Sequence, residues 1–402
     1  TKVTLSGFTL TNGSSNGVSD DGGGLYAFEL DSLIIDNMIV DGNYNAKQGH
    51  DAGGITIKYA DFVKITNTTI SNNTADRYSG IAIVNSEDVE LFNLLVHSNS
   101  SPETYHSVYL HENEELKIVN STIANNTVET PYNSGGLIIN MKSSLDSALV
   151  MNSIISQNKY LDEEGEEFIN GTGYQMQFQS GRLVLINCYT EETLVEGNNK
   201  IKRSSGNIFS GKNPFTNLES DDYSLNYFTP AIGAGASSVS YNSDTIYSPS
   251  TDRFGTARPS PQGSISDIGA IESPRSQKNT MVHIAKSGSD SNDGLDESPF
   301  LTIGRGLDVS SQGDTILINP GVYEESLELV NSGVHLASLY ITSGDTSYLR
   351  STIIDGNING PAILVSGNES VVKMTGLRVT GGSANWPVIG GGISIVNADS
   401  VV

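Results

Sequence analysis

The sequence predicts an all-β protein built as a right-handed parallel β-helix, and three observations indicate this fold. A motif of Asn, two residues, Ile or Val, two residues and Asn recurs with its first asparagines 30, 26, 27 and 32 residues apart. Most copies follow a pair of small residues and a stretch that alternates apolar and polar side chains. No segment shows a sustained helical period, and parallel crossovers favour the right hand. The copies begin at Asn37, Asn67, Asn93, Asn120 and Asn152.

One coil of the predicted β-helix is represented by residues 53–73, GGITIKYADFVKITNTTISNN. The segment reads as three short strands separated by polar corners, and alternation with a period of two places one side of each strand inside. Stacking coils would bury a continuous column of Ile, Val and Leu. We attribute the corner glycines and asparagines to backbone positions with positive φ. Stacked asparagines are expected to hydrogen-bond coil after coil, so their interpretation is structural.

Composition excludes several classes of function. The chain has 402 residues, with 46 acidic and 22 basic side chains and a net charge of −24. Nucleic-acid binding is disfavoured because it needs a basic surface. No apolar run approaches the ~20 residues of a membrane helix, so no membrane insertion is expected in this segment. Cys188 is the single cysteine, which rules out an intrachain disulfide. These features fit a prokaryotic protein that is extracellular or at the cell surface.

The motif weakens after about Asn187, and residues 199–272 are rich in turn signals. We interpret 1–272 as the later two-thirds of a β-helix domain whose closing segment caps an exposed coil edge. Residues 273–281 form a polar linker, and 282–402 form the first third of the next β-helix domain. Residues 372–402 align with 3–34 at an offset of 368 to 369 positions. The parent is therefore expected to be a tandem array.

Two groups of motifs carry a family resemblance. SGSDSNDGLDESPFLTIGRGLD (287–308) and GDTILINPGVY (313–323) resemble the opening segment of secreted right-handed parallel β-helix proteins, which include family-9-type pectate lyases and related bacterial surface proteins. TPAIGAGA (229–236), DRFGTARP (252–259) and DIGAIE (267–272) resemble their closing segment, with Gly233 where Asp is usual. The coils are similar to those of polymorphic outer-membrane proteins and adhesins. The resemblance implies fold and export rather than an activity, because this fold hosts lyases, hydrolases, adhesins and fibres.

A polysaccharide lyase would need a basic residue to remove a proton and a cation to neutralise a uronate. Lys58, Lys64 and Arg77 fall in neighbouring coils and are expected on one face. His50, beside Asp51, is the candidate proton carrier. Charges on consecutive coils of a solvated face explain the same residues equally well.

An oxygen-rich loop around Gly294 is the candidate metal site. It contains Asp290, Asn292, Asp293 and Asp296. Calcium takes six to eight oxygen ligands, but the spacing differs from an EF-hand loop. The alternative is a turn whose side chains bond to its own backbone. We expect no cofactor, and calcium is the one candidate.

Tyrosines in successive coils suggest a surface for sugars. Tyr26, Tyr59 and Tyr109 follow Gly or Ser steps in different coils and are expected on one face, where they either stack on glycans or cover coil edges. The function expected from the whole sequence is a structural or adhesive repeat of a long extracellular or cell-surface protein, as a fibre or filament subunit. Its partners would be neighbouring copies end to end, and glycans. The alternative is a carbohydrate-active lyase or hydrolase, or a glycan-binding module.

Overall fold

The chain forms two compact units in the computed structural model. The first comprises Thr1–Gly211 and Ala231–Ser276, and the second comprises Lys212–Pro230 and Gln277–Val402. Within the described part of the chain, no helix has the length and apolar character needed to cross a membrane. The structure describes residues 1–15, 22–45, 52–102, 106–128, 135–161, 167–168, 175–191, 193–195, 200–330, 332–356, 360–367, 370–383, 390–398 and 400–401.

The first unit is a parallel β-helix whose coils each pass through four faces, A to D, in chain order. Two strands, Leu25–Asp36 and Ile55–Thr66, turn the corner between faces A and B without a break. The other strands of face A are Ile81–Val84, Val108–Asn113, Leu137–Met141, Met176–Ser180 and Thr193–Val195. The other strands of face B are Lys2–Ser6, Asp88–Phe92, Glu115–Val119, Ser147–Met151, Arg182–Ile186 and Lys200–Ser205.

Faces C and D are made of shorter strands. Face C contains Thr9–Thr11, Ile39–Asp41, Thr69–Ser71, Leu95–His97, Thr122–Ala124, Ile154–Ser156, Tyr189–Thr190 and Ile208–Phe209. Face D contains Ser14–Ser15, Tyr44–Asn45, Thr74–Ala75, Ser100–Ser101, Thr127–Val128 and Lys159–Leu161, with Glu167–Phe168 added antiparallel. The three predicted strands per coil are thus joined by a fourth, which follows the second asparagine of the motif. Two residues are too few to show alternation in a sequence.

The apolar residue at the centre of each motif points into the core from face C. These residues stack in register, so each covers the next. All are at most 3% exposed. Inward residues of faces A and B complete the same core cluster. The column consists of Val40, Ile70, Val96, Ile123 and Ile155.

The second asparagine of each motif forms a buried hydrogen-bond ladder. Asn73 donates from Nδ2 to Asn99 Oδ1 at 2.9 Å, and that same oxygen accepts the Asn73 backbone N–H at 3.0 Å. Asn99 repeats both bonds to Asn126. The predicted coil-to-coil bonding of asparagines is therefore confirmed. At one end of the ladder Asn43 Oδ1 accepts the N–H of Gly13, and at the other Asn158 Nδ2 donates to Gln175 Oε1. The ladder consists of Asn43, Asn73, Asn99, Asn126 and Asn158.

The first asparagine of each motif occupies the corner between faces B and C in the left-handed conformation. Their φ values lie between 47° and 55°, as we expected for asparagine corners. The corner asparagines are Asn37, Asn67, Asn93, Asn120 and Asn152.

The glycine pairs have a different cause from the one we expected. Gly53 and Gly54 are absent from the positive-φ positions of the described chain. A Cβ on Gly54 would instead lie 2.3 Å from Gly80 O in the next coil and 3.1 Å from Asn73 Nδ2. The pairs are therefore required by close backbone approach beside the ladder, and the positive-φ interpretation is wrong for them.

The closing segment, Ala231–Ser276, runs along the side of the first unit. Arg253 Nε donates to Thr69 Oγ1 at 3.0 Å, while Ala270 N–H donates to Thr122 Oγ1 at 3.0 Å. Asn152 donates to Ala236 O at 2.8 Å. These contacts lie on three different coils, so the segment covers the row of corner asparagines rather than the edge of a terminal coil. Its regular part is the hairpin Ser238–Tyr241 and Asp244–Tyr247.

The second unit is a three-sided parallel β-helix with short helices at its corners. One sheet contains Met281–Ile284, Thr315–Ile318, His335–Ser338, Val371–Thr375 and Ser400–Val401. The other two contain Gly321–Glu324, Thr352–Asp355 and Arg378–Thr380, and Leu327–Val330, Ile363–Ser366 and Ile393–Val396. The helices are Ile303–Val309, Tyr340–Ser343 and Tyr348–Ser351.

Residues 212–230 belong by their contacts to the second unit, although the sequence boundary placed them in the first domain. They form the hairpin Phe215–Asn217 and Asp222–Leu225, bridged by the 3₁₀ helix Leu218–Ser220. Phe228 is 1% exposed and lies in the core of the second unit. Asn279 N–H donates to Tyr227 O at 2.7 Å, and Lys212 Nζ donates to Leu307 O at 2.6 Å. This segment therefore completes the start of the second unit.

The two aligned sequence segments share their first two strands. Strands Lys2–Ser6 and Thr9–Thr11 correspond to Val371–Thr375 and Arg378–Thr380. Between the strands, Gly7 and Gly376 both have left-handed φ values, 75° and 77°. The origin of the chain in a tandem array stays a prediction, and this correspondence is consistent with it.

Replacing a central ladder residue is expected to destabilise the first unit. Asn99→Ala should lower the free energy of unfolding by about 3 kcal/mol, because buried donors and acceptors of Asn73 and Asn126 lose their partners. Urea denaturation of the full chain measures the change. Asn72→Gly, at an exposed neighbouring position with φ 53°, is the matched control. Equal stability of Asn99→Ala and the wild type would contradict the role of the ladder.

Truncating Phe228 is expected to loosen the second unit selectively. Phe228→Ala removes a buried ring from its core and should cost about 3–4 kcal/mol. Hydrogen exchange would then accelerate in Met281–Ile284 and Thr315–Ile318 but not in the strands of the first unit. Phe209→Ala, a ring that is 62% exposed, is the control. Unchanged protection of both strands would show that residues 212–230 do not support this unit.

Candidate functional site

The most distinctive surface among the described residues is a set of aromatic rings on the outer side of face A. We call it the aromatic strip, and it comprises Tyr26, Phe28, Tyr59, Tyr78, Tyr109 and His111. The pleat places Tyr26, Phe28, Tyr109 and His111 in the strip, because residues between the buried ones on each strand point away from the core. Tyr59 instead lies at a left-handed corner, and Tyr78 lies in the turn before Ile81–Val84. Register places Tyr26, Thr56, Ala82 and Tyr109 in one row on this side, in which Thr56 and Ala82 are 0% exposed. Phe28, Lys58, Val84 and His111 form the second row.

The first ring cluster of the strip is strongly exposed. Tyr26, Phe28 and Tyr59 are 39%, 43% and 52% exposed. The rings of Tyr26 and Phe28 are stacked with centroids 6.2 Å apart, and Phe28 meets Tyr59 edge to face at 5.6 Å. Tyr59 lies at the corner between faces A and B with φ 56°, and its ring lies beside that of Phe28. Apolar rings held together in water indicate a surface that gains by being covered.

The second ring cluster lies further along the same face. Tyr78 and Tyr109 are stacked with centroids 3.9 Å apart, and Tyr109 stacks on His111 at 5.2 Å. Tyr78 is buried together with Ala52 and Ala82, which anchors the cluster. Burial lowers the pKa of His111, with Glu112 opposing the shift, so the imidazole is neutral at neutral pH. A neutral imidazole offers one hydrogen-bond donor and one acceptor.

The predicted basic residues lie in different places. Lys58 ends the face A part of its strand and belongs to the second outward row of the strip. Lys64 lies on face B, where its Nζ pairs with Glu90 Oε2 at 2.8 Å. Arg77 lies in the turn after face D, where its carbonyl accepts from Ser101. The expectation that the three share one face is wrong, because a left-handed corner separates Lys58 from Lys64. His50 and Asp51 lie outside the described residues, and a catalytic role for the five stays a prediction.

Lys64 is part of an ionic row that links coils across face B. Glu90 also lies 3.6 Å from Lys117 Nζ, which pairs with Asp88 at 2.9 Å and Glu115 at 3.3 Å. The Lys117 side chain is 8% exposed. Desolvation by burial lowers the pKa of the Lys117 ammonium group. The hydrogen bond to Asp88 and the negative charges of Asp88, Glu115 and Glu90 outweigh it, so the pKa is raised. These charges therefore join neighbouring coils.

Three of the four calcium candidates are engaged in their own turn. Asp290 Oδ1 accepts the N–H groups of Leu301 and Thr302 at 3.0 and 2.9 Å. Asn292 donates to Pro299 O at 2.9 Å. Asp293 accepts Leu295 N–H at 3.2 Å. These contacts match the alternative interpretation, a turn whose side chains bond to its own backbone.

The fourth candidate, Asp296, is 85% exposed and lies 3.2 Å from His283 Nδ1. Across the ranges that the structure describes, no group of three His, Cys, Asp or Glu side chains is arranged to hold a metal. Calcium binding by these residues stays a prediction.

The closing segment contains a buried charged network that the sequence reasoning treated only as a motif. Arg258 and Glu272 form an ion pair at 3.1 Å with both side chains 0% exposed. Asp267 accepts Gly233 N–H at 2.7 Å and Ser273 N–H at 2.6 Å. Burial raises the pKa of Asp267 to about 7, with these N–H groups and Arg258 opposing the shift. The network stabilises the fold of the closing segment, so the raised pKa of Asp267 has a structural cause.

Comparisons with known proteins agree with the fold. A family model described as "Right handed beta helix region" matches residues 1–188, all within the first unit. The uncharacterized protein YwoF of Bacillus subtilis (strain 168) is 35% identical over 52 residues, which are 13% of this chain and 11% of that protein. The chain thus matches about a tenth of that relative's length.

A solved structure of a mutant of the PL6 family alginate lyase AlyGC aligns with 99% of this chain and 73% of its own, at 10% identity and a TM-score of 0.18. A likeness of that size carries no argument about activity. The predicted fold class, a right-handed parallel β-helix, is confirmed by the sheet topology and the family model together.

Raising the pH is expected to weaken the closing segment. Native Asp267 keeps its proton up to about pH 7, whereas the unfolded chain releases it near 3.8. The native state therefore binds more protons between these values, and its stability falls as the pH rises through that window. Urea denaturation between pH 4 and pH 7 measures the slope. Asp267→Asn should flatten it, and the exposed control Asp244→Asn should not. A wild type and Asp267→Asn with the same slope would contradict the assignment.

Proposed function

We propose that this chain is a structural or adhesive repeat of a long extracellular or cell-surface protein of a prokaryote. The observation that carries the proposal is the recurrence of one coil within the chain. Strands Lys2–Ser6 and Thr9–Thr11 recur as Val371–Thr375 and Arg378–Thr380, with the same glycine conformation between them. Repeated parallel coils extend a protein by about 4.8 Å each, so they provide length with few residues.

The use of the charged side chains supports a structural role. Lys64, Glu90 and Lys117 bond to one another across coils rather than converging on an open space. Arg258 and Glu272 pair with each other inside the closing segment. A polysaccharide lyase or hydrolase, the alternative, requires acid and base groups around one reacting bond. Lys58, Lys64 and Arg77 lie on different parts of the coil, which favours the structural role over that alternative.

The partners of such a repeat would be neighbouring copies, stacked coil on coil. Parallel strands present unpaired N–H and C=O groups at each end of a β-helix, and an equivalent coil satisfies them. Val371–Thr375 and Arg378–Thr380 follow each other as Lys2–Ser6 and Thr9–Thr11 do, so a following copy would meet strands in the same order.

Electron microscopy of the purified chain, with particle mass recorded, tests the proposal. We expect rods that lengthen in steps of one chain as the concentration rises, because coil ends pair with coil ends. The same samples are incubated with a panel of polysaccharides and assayed for unsaturated or reducing-end products. Short isolated particles that release such products would overturn the structural proposal in favour of the enzyme.

A further inference from the structure

We infer that the aromatic strip on face A binds a neutral polysaccharide chain laid along the β-helix axis. The inference rests on the proposed adhesive function and names its ligand class. It is carried by the arrangement of the two ring clusters and by the polar groups between them.

The spacing of the rings favours an extended ligand. Phe28 and His111 are in the same outward row, separated by Lys58 and Val84. Three coil steps of about 4.8 Å place Phe28 and His111 about 14 Å apart along the axis. That distance suits a short run of sugar rings, and it is too long for a single small metabolite to contact both residues.

The chemistry of the strip fits pyranose rings. A pyranose has an apolar face of C–H groups and a rim of hydroxyls, so it needs flat apolar partners and hydrogen-bond partners side by side. Tyr26, Phe28 and Tyr59 supply exposed rings, and each tyrosine adds a hydroxyl at its tip. Lys58 supplies N–H donors between the clusters, and the neutral His111 supplies both a donor and an acceptor. A protein partner would instead favour a wider apolar core with few polar interruptions.

The charge around the strip favours a neutral chain over a polyuronate. The corner row beside the rings contains Glu29, Tyr59, Asn85 and Glu112, all with φ between 53° and 56°. Glu29 and Glu112 are exposed, so they flank the rings with carboxylates. A polyuronate carries a charge on every sugar, and the net charge of −24 adds to its repulsion. A neutral polysaccharide meets no such penalty.

Affinity electrophoresis of the full chain tests the inference, with gels containing barley β-glucan, xylan, galactomannan, polygalacturonate or alginate. We expect retardation by at least one neutral polysaccharide and weaker retardation by the two polyuronates. Tyr59→Asn should lower the affinity about tenfold, since a stacked ring is lost. Asparagine suits the left-handed backbone, and Asn85 occupies the equivalent corner of the next coil. Tyr109→Ala should have a similar effect through the second cluster.

Tyr247→Ala is the matched control, because Tyr247 is 67% exposed in the closing segment of the same unit. Circular dichroism melting of each variant verifies that the fold is retained. The inference is overturned if no neutral polysaccharide retards the wild type, if polyuronates bind more tightly, or if Tyr247→Ala loses as much affinity as Tyr59→Asn. Rods in the microscope without polysaccharide binding would reject this inference and leave the structural proposal standing. Polysaccharide binding by short particles that form no rods would support this inference and reject the structural proposal.

Discussion

The asparagine ladder is the interaction on which the first unit depends. Each buried asparagine satisfies the backbone N–H of its neighbour and a carbonyl of that same adjacent coil, as Asn99 does with Asn73 N–H and with Ile70 O. A four-sided coil must bend its backbone inside the protein, where unpaired polar groups are costly. The ladder supplies those bonds at the corner between faces C and D. The ladder also restricts the residues beside it. A Cβ at the glycine pairs would clash with the asparagine amide groups and the neighbouring backbone, so glycine is required there.

The ladder, the closing segment and the ionic row occupy different sides of the first unit. The corner asparagines bond to residues of the closing segment, as Asn152 does with Ala236 and Asn187 does with Ala234 O at 2.6 Å. Face B carries an ionic row around Lys117, which links coils. Among the described residues, face A carries the exposed rings of Tyr26, Phe28 and Tyr59 in mutual contact. The proposed binding role is therefore placed on this face.

The candidate site shows why charged residues mislead when only their order is known. Lys58, Lys64 and Arg77 fall in neighbouring coils, which suggested a common face, and Lys58 and Lys64 lie on one continuous strand. The left-handed conformation of Tyr59 turns the chain between them, so one belongs to the aromatic strip and the other to the ionic row. Aromatic residues were easier to place, because Tyr26 and Tyr109 follow glycine or serine steps at the start of face A. The contribution of Tyr78 and His111 depends on packing between coils and had no sequence signal of its own.

The sequence by itself determined the β-helix, the coil length and the structural role of the asparagines, because these follow from a local period repeated many times. It also marked where one segment closes and another begins, since turn residues and a recurring coil are visible in the order of residues. Only the tertiary structure decided the fourth face, the course of the closing segment along the coils, and the membership of Lys212–Pro230 in the second unit. Each of these depends on contacts between residues far apart in the chain, and a local pattern contains no information about such contacts.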